Sequence, residues 1–372
     1  KGKGGNRKRL NRELDEMKRL GITNLRILVG SDGEEGIKWK ASPVLQPSPG
    51  VYNDTILEGL DYLMLQLQRR GMVAVLYLNN SWEWSGGYGF YLENAGAGKA
   101  LQPNEVGYSA YVKYAAQFAT NPKAQQLFFN HLNFILKRTN RYTGKPYTED
   151  PAIMSWKICN EPRAFDKAAL PQFEAWIAKA AAMMKSIDKQ HLVSVGSEGA
   201  FGCEADYDSW QRICSDANID YCNVHIWPYN WGWAKKDSLM LNMQRAKDLT
   251  KEYLDRHLDI CAKINKPLVM EEFGYPRDGV SFSKQSATTA RDAYYNYVFS
   301  LLADDLAKGG YFVGCNFWGW GGHAQPQHEQ WIPGDDYVCD PPQEPQGLYS
   351  VFSSDDSTIK IIKAGIANLP KR

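Results

Sequence analysis

Seven nearly unbroken apolar runs punctuate the chain: Asn24–Gly30, Met72–Asn79, Ile153–Glu161, Leu192–Gly199, Tyr221–Trp227, Pro267–Gly274 and Tyr311–Trp318. Continuous hydrophobic character, rather than alternation, suits strands covered on both faces, as in a parallel sheet. The stretches between them carry helical spacing instead. Leu10, Leu14 and Met17 form one stripe; Tyr111, Tyr114, Ala115 and Phe118 a second; Phe128, Leu132, Ile135 and Leu136 a third. A fourth joins Phe173, Trp176, Ile177, Ala180 and Met184, and Ser357 precedes a last helix with Ile359, Ile362, Ile366 and Leu369. Strand–helix alternation without a break in composition predicts a single α/β domain over residues 1–372. The opening pattern, from about Asn6 to Leu20, is a helix with no strand before it. A closed (β/α)8 TIM barrel needs eight strands. The favoured fold is therefore a TIM barrel whose first strand is absent from this chain, with an open sheet as the alternative. Self-association is expected if a partner chain supplies that strand.

Composition narrows the function classes. A chain of 372 residues fits a barrel of roughly 250 residues enlarged by loop insertions. With 43 basic and 42 acidic residues the net charge is +1, so no bulk field gathers nucleic acid or an anionic membrane. No apolar stretch approaches the roughly 18 residues of a membrane span. The basic opening (Lys1, Lys3, Arg7, Lys8, Arg9) runs into the mixed charges of Arg12, Glu13, Asp15, Glu16, Lys18 and Arg19, which reads as a solvated helix face. Seven cysteines include no C-x-x-C pair, which argues against a zinc ribbon or thioredoxin-type site; a Cys203–Cys214 disulfide stays open. Cys222 and His225 lie three apart on a strand and so on opposite faces, which argues against a metal site. Gly86-Gly87-Tyr88-Gly89 lacks the Lys-Ser/Thr and the opening helix of a phosphate loop. No Gly-x-Ser-x-Gly elbow or H-E-x-x-H pair is present.

Aromatic content is high, with 12 Trp, 21 Tyr and 14 Phe, and much of the Trp falls in loops. Trp82 and Trp84 lie in NNSWEWSGG, Trp231 and Trp233 in YNWGWAK, and Trp331 in EQWIPGDD. Trp among Gly, Ser, Asn and Asp suits a groove in which flat rings stack on the apolar face of a pyranose. Ionisable residues gather at the ends of the apolar runs: Asn160-Glu161-Pro162-Arg163, Glu271-Glu272-Phe273-Gly274, and His225 with Trp227. In a parallel barrel those ends open on one face, where active sites are built. Two carboxylates on such ends suit hydrolysis of a glycosidic bond, one protonating the leaving oxygen and the other attacking the anomeric carbon. Helix-capping or salt-bridged carboxylates explain them equally well at this point. Strand parity does not choose between Glu271 and Glu272. Arg26, inside an apolar run, needs a carboxylate partner.

Asn160-Glu161-Pro162, His225-Ile226-Trp227 and Glu272-Phe273-Gly274, with Trp318 near the end, resemble the active-site set of glycoside hydrolase family 5. The Asn-Glu-Pro-Arg form, HIWPYNWGW and NNSWEWSGGYG resemble its subfamily 7 endo-β-1,4-mannanases, from about Gly4 to the C-terminal helix. The resemblance implies a retaining double displacement with Glu161 as general acid/base and Glu272 as nucleophile. It implies that Asn160 bonds the sugar 2-hydroxyl, that Arg26 and His225 flank Glu272, that Trp318 floors the site, and that Arg163 holds sugar on the leaving-group side. Trp82, Trp84, Trp227 and Trp231 complete the expected substrate contacts. Trp227 stands where many members carry Tyr, and an indole donates but does not accept. No metal or cofactor is expected, since two carboxylates suffice, roughly 5–5.5 Å apart in a retaining enzyme. The expected partners are β-mannan polysaccharides and oligosaccharides, met in an extracellular or periplasmic location with the export signal outside this chain. An endo-β-1,4-glucanase of the same family, or a non-catalytic polysaccharide-binding barrel, are the alternatives.

Overall fold

The computed structural model describes residues 5–370, so Lys1 and Lys3 of the basic opening lie outside them. Its contacts gather into two compact units, one holding the chain up to Leu10 and from Asn24 to Asn223, the other holding Asn11–Thr23 and the chain from Val224 onward. The elements begin with α1 (Arg7–Leu20), β1 (Asn24–Leu28), α2 (Asp54–Arg70) and β2 (Val73–Tyr77). A long connection then carries α3 (Gly87–Asn94), α4 (Pro103–Val106), α5 (Tyr108–Ala115) and α6 (Pro122–Leu136). β3 (Ile153–Lys157), α7 (Leu170–Ile187), β4 (Leu192–Ser194) and α8 (Tyr207–Ser215) follow. Then come β5 (Cys222–Ile226), α9 (Met243–Ile264), β6 (Leu268–Phe273), α10 (Thr289–Ala307) and β7 (Phe312–Phe317). The short strands β8 (Trp320–Gly322) and β9 (Val351–Phe352) precede α11 (Asp356–Ala367).

Each of the seven apolar runs contains one of β1 to β7. In the first unit the strands lie parallel in the order β1-β2-β3-β4, with Arg26 opposite Val75 and Val75 opposite Ser155. β5, β6 and β7 form a second sheet, and β6 runs parallel to β7. β8 pairs with β9; at three and two residues, neither is long enough to register as a hydrophobic run. Among the described residues no strand precedes α1.

Local chemistry fixes where the helices start and stop. Asn53 accepts from the Thr55 N–H at the head of α2, and Asn121 from the Ala124 N–H at the head of α6, where Pro122 takes the first helical position. Gly71 closes α2 at φ 61°, and its N–H reaches the last-turn carbonyls of Leu67 and Gln68; a residue with a Cβ is disfavoured in that left-handed conformation. The expectation that no helix opens at the Gly86–Gly89 stretch is corrected: α3 starts at Gly87 and is buried from Gly87 through Leu92. A helix enclosed on every side needs no polar face, so spacing gave no sign of it. The absence of Lys-Ser/Thr still argues against a phosphate loop there.

All seven cysteines are free thiols. Cys203 and Cys214 are buried and unlinked, and burial pushes the Cys203 thiol up to about 12. Arg7 pairs with Glu58 at 2.8 Å and lies over the Tyr62 ring, as a surface helix charge does. In the second unit two fully buried guanidiniums hold the segment before α11. Arg277 donates to the carbonyls of Gly347 and Ser350 and pairs with Asp355. Arg291 donates to the carbonyls of Tyr275, Ser350 and Leu348.

Candidate active site

The first unit assembles Arg26, in the middle of β1, with Trp82, Asn160, Glu161 and Arg163, which follow the C-terminal ends of β2 and β3. The Asn160 side chain is held from both directions: its amide donates to Asn80 Oδ1 at 3.1 Å, and its Oδ1 accepts from Arg26 Nη2 at 2.5 Å. Arg26, expected to need a carboxylate, bonds this amide oxygen and lies 4.4 Å from the centre of the Tyr77 ring. Amide and ring together supply a polar and a quadrupolar contact for the half-buried cation.

Glu161 is 9% exposed. Its backbone sits at φ 47°, a left-handed value uncommon for a residue with a Cβ. Three bonds fix it there. Its N–H donates to the Gly196 carbonyl at 2.9 Å, its carbonyl accepts from Ser81 Oγ at 2.5 Å, and its Oε2 accepts from Trp82 Nε1 at 2.6 Å. The Trp82 indole is itself fixed, stacked on Tyr111 with centroids 6.0 Å apart and met edge-on by Phe165 at 5.5 Å. Arg163 lies over the same indole at 5.2 Å and grips Glu198 through two bonds of 2.5 and 2.7 Å. Burial works against the Arg163 charge, but the Glu198 carboxylate outweighs it and Arg163 titrates above its ordinary value.

Beneath this lies a second carboxyl. Glu83, between the two tryptophans of the β2 loop, has an Oε2 sealed from solvent with no hydrogen-bond partner, and burial pushes its carboxyl up to about 7. Trp84 is half-buried, and its carbonyl accepts from the Ala41 N–H at 2.7 Å.

The second unit places His225 between the two acids that end β6. Its Nδ1 is 3.3 Å from Glu272 Oε2 and its Nε2 4.0 Å from Glu271 Oε2; all three side chains are buried. Trp227 meets Trp318 edge-on at 6.3 Å and Tyr349 at 4.9 Å. Gly274 makes room for it, since a methyl there would fall 2.7 Å from the indole. The Trp318 N–H donates to the Phe273 carbonyl at 2.9 Å, which ties that side chain's position to the strand carrying Glu272.

The other loop tryptophans divide differently from the groove expectation. Trp231 packs on Trp233 at 5.0 Å and Tyr253 at 5.4 Å, while Trp331 is mostly buried and stacks on Tyr337 at 4.5 Å. Apolar partners within the fold already enclose Trp331, whereas Trp231 is half-buried and keeps part of its side chain accessible. Glu198 was missed in the sequence although it ends the Leu192–Gly199 run, where the rule that singled out Glu161 applies equally. Ser81, Glu83 and Tyr111 carried no comparable signal, because their relation to Glu161 exists only once the loop after β2 folds against that after β3.

The chain matches the family described as glycoside hydrolase family 5 β-mannosidase-like over residues 1–372. Mannan endo-1,4-beta-mannosidase 1 of Oryza sativa subsp. japonica is 30% identical over 92% of this chain and 73% of its own length. The crystal structure of a glycoside hydrolase family 5 mannosidase from Rhizomucor miehei is 34% identical, with a TM-score of 0.89 over 98% of this chain and 88% of that one. An endo-β-1,4-mannanase from Thermotoga petrophila, 23% identical, shares the fold at a TM-score of 0.70 over 98% of this chain and 74% of its own. The fold class is that of the (β/α)8 barrels. Together with the acids at the strand ends, these matches identify the chain as a member of glycoside hydrolase family 5, in its β-mannosidase-like group.

Proposed function

We propose that the protein hydrolyses the β-1,4 links of mannan, glucomannan or galactomannan as an endo-acting mannanase, by retaining double displacement. The observation that carries this reading is the carboxyl of Glu161, pinned by an indole N–H in a family whose named relatives cleave mannan. Glu272 is the nucleophile. Ionised, it attacks the anomeric carbon while Glu161 gives its proton to the leaving oxygen; Glu161 then takes a proton from a water whose oxygen attacks the anomeric carbon, breaking its bond to Glu272 and releasing the sugar. His225 at 3.3 Å orients the attacking carboxylate. Asn160, clamped by Arg26 and Asn80, presents its amide to the sugar 2-hydroxyl. Trp318 floors that sugar, and Arg163, held by Glu198, meets sugar beyond the cleaved link. Trp82, Trp84, Trp227 and Trp231 line the substrate path. Such substrates lie outside the cytoplasm, so the working location is extracellular or periplasmic; among the described residues no helix is long and apolar enough to cross a membrane.

A second reading has support of its own. A variant of the Rhizomucor mannosidase, the match at TM-score 0.89, has been solved with mannosyl-fructose, a ligand with a single mannose unit. A ligand of that size favours removal of single mannose units from chain ends. Product analysis on linear mannan separates the two. A rapid fall in viscosity with mixed oligosaccharides marks internal cleavage, and mannose as the sole early product marks end-trimming. Release from carboxymethyl-cellulose alone would make the protein a glucanase. Glu272→Ala should abolish turnover, and azide should then yield a product of inverted anomeric configuration; normal activity in that variant would refute the nucleophile.

A further inference from the structure

We propose that the groove bounded by Tyr108 and Phe165 is a distal binding site for neutral sugar units on the leaving-group side of Glu161, with Tyr108 as its stacking platform. This rests on the hydrolase reading above. Tyr108, the first residue of α5, is 56% exposed, so its ring is open to a ligand. It borders a groove of about 380 Å³ whose other walls include Phe165, Val112, Lys113 and Asp166, a size at the lower end of small-ligand sites, which span roughly 300–1,000 Å³.

Three observations assign the occupant. The first is continuity, since the Tyr108 ring lies 6.4 Å from Trp82 at a tilt of 30°, and Trp82 bonds the Glu161 carboxylate. Trp82 thus links the acid to the ring that borders the groove. Next is the floor. Phe165 is 7% exposed and held at φ 59°, a strained value for a residue with a Cβ, and meets Trp82, Tyr111 and Tyr88 edge-on. Last is charge. One lysine and one aspartate balance on the rim, so the groove attracts neither polyanion nor polycation but offers donors and acceptors to hydroxyls. An apolar base with a neutral polar rim suits a pyranose, whose CH face stacks while its hydroxyls reach outward.

The test compares kcat/KM for mannohexaose with that for 4-nitrophenyl β-mannoside, which carries no sugar beyond the cleaved bond. Tyr108→Ala should lower that ratio about five- to tenfold, and Tyr108→Phe, which keeps the ring, should retain most of it. A ratio equal to wild type in Tyr108→Ala overturns the proposal, as does a Phe variant as impaired as the Ala variant. Thermal melting checks that both variants fold. If the wild-type protein cleaves neither substrate, the hydrolase reading fails on its own. Calorimetric binding of mannotriose to wild type, lost in Tyr108→Ala, then supports the groove, and equal binding in the two proteins overturns it.

Discussion

Glu83→Gln should make the protein more tolerant of alkali, by an amount the burial of this carboxyl fixes. The side chain is half-buried as a whole, but its Oε2 is sealed and unpartnered, and desolvation raises the group from 4.5 to about 7. In the unfolded chain the carboxyl returns to its ordinary value. Between those two values the native state binds the extra proton, so acid favours it; that stability is present below about 4.5 and lost as pH rises through 7. A gap of about two and a half pH units, at about 1.4 kcal/mol each, comes to about 3.5 kcal/mol, of which about 3 kcal/mol falls between pH 4.5 and pH 8. Gln has nearly the same shape and does not titrate. Urea unfolding followed by tryptophan fluorescence should find the variant gaining about 3 kcal/mol on wild type between roughly pH 4.5 and pH 8. A constant offset from altered hydrogen bonding of the new amide cancels in that difference. Parallel pH dependences for the two proteins would refute the reasoning.

Trp82→Phe keeps a ring against Tyr111 and Phe165 but removes the 2.6 Å bond to Glu161. As Glu161 gives up its proton the bond gains a charged acceptor, which contributes about 1.5–3 kcal/mol, so kcat/KM on an aryl β-mannoside should fall about ten- to hundredfold; a loss below twofold would mean that the bond does not support the acid. Asp355→Asn leaves two buried guanidiniums without the carboxylate that faces them and should destabilise the protein by about 3–5 kcal/mol, read as a lowered urea midpoint.

Most strands were legible because enclosure on both faces writes itself into the chain as unbroken apolar runs; β1 and β7 carry such runs although nearly all their residues are half-buried. Helices with one wet face, such as α6 and α7, were legible through their spacing. α3 was not, since it has no wet face to set a period. At the site, Asn160, Glu161, His225 and Glu272 announced themselves as polar residues where an apolar run stops. Their supports did not. Glu83 lies 78 positions before Glu161, and Glu198 appeared as one more polar residue on a strand end until Arg163 gripped it. The buried network of Arg277, Arg291 and Asp355 was silent for a similar reason. Most of its bonds go to backbone carbonyls, which carry no side-chain signature.

The left-handed backbone at Glu161 has an evolutionary consequence. Holding a residue with a Cβ at φ 47° costs about 1–3 kcal/mol, and Gly or Asn would occupy the same point with less strain. Mutational drift at this codon therefore meets a folding incentive to discard the acid, against which only selection for turnover acts. A lineage released from that selection would tend to lose Glu161 early while keeping the barrel and its aromatic surface, and would descend into a sugar-binding protein without passing through an unstable one.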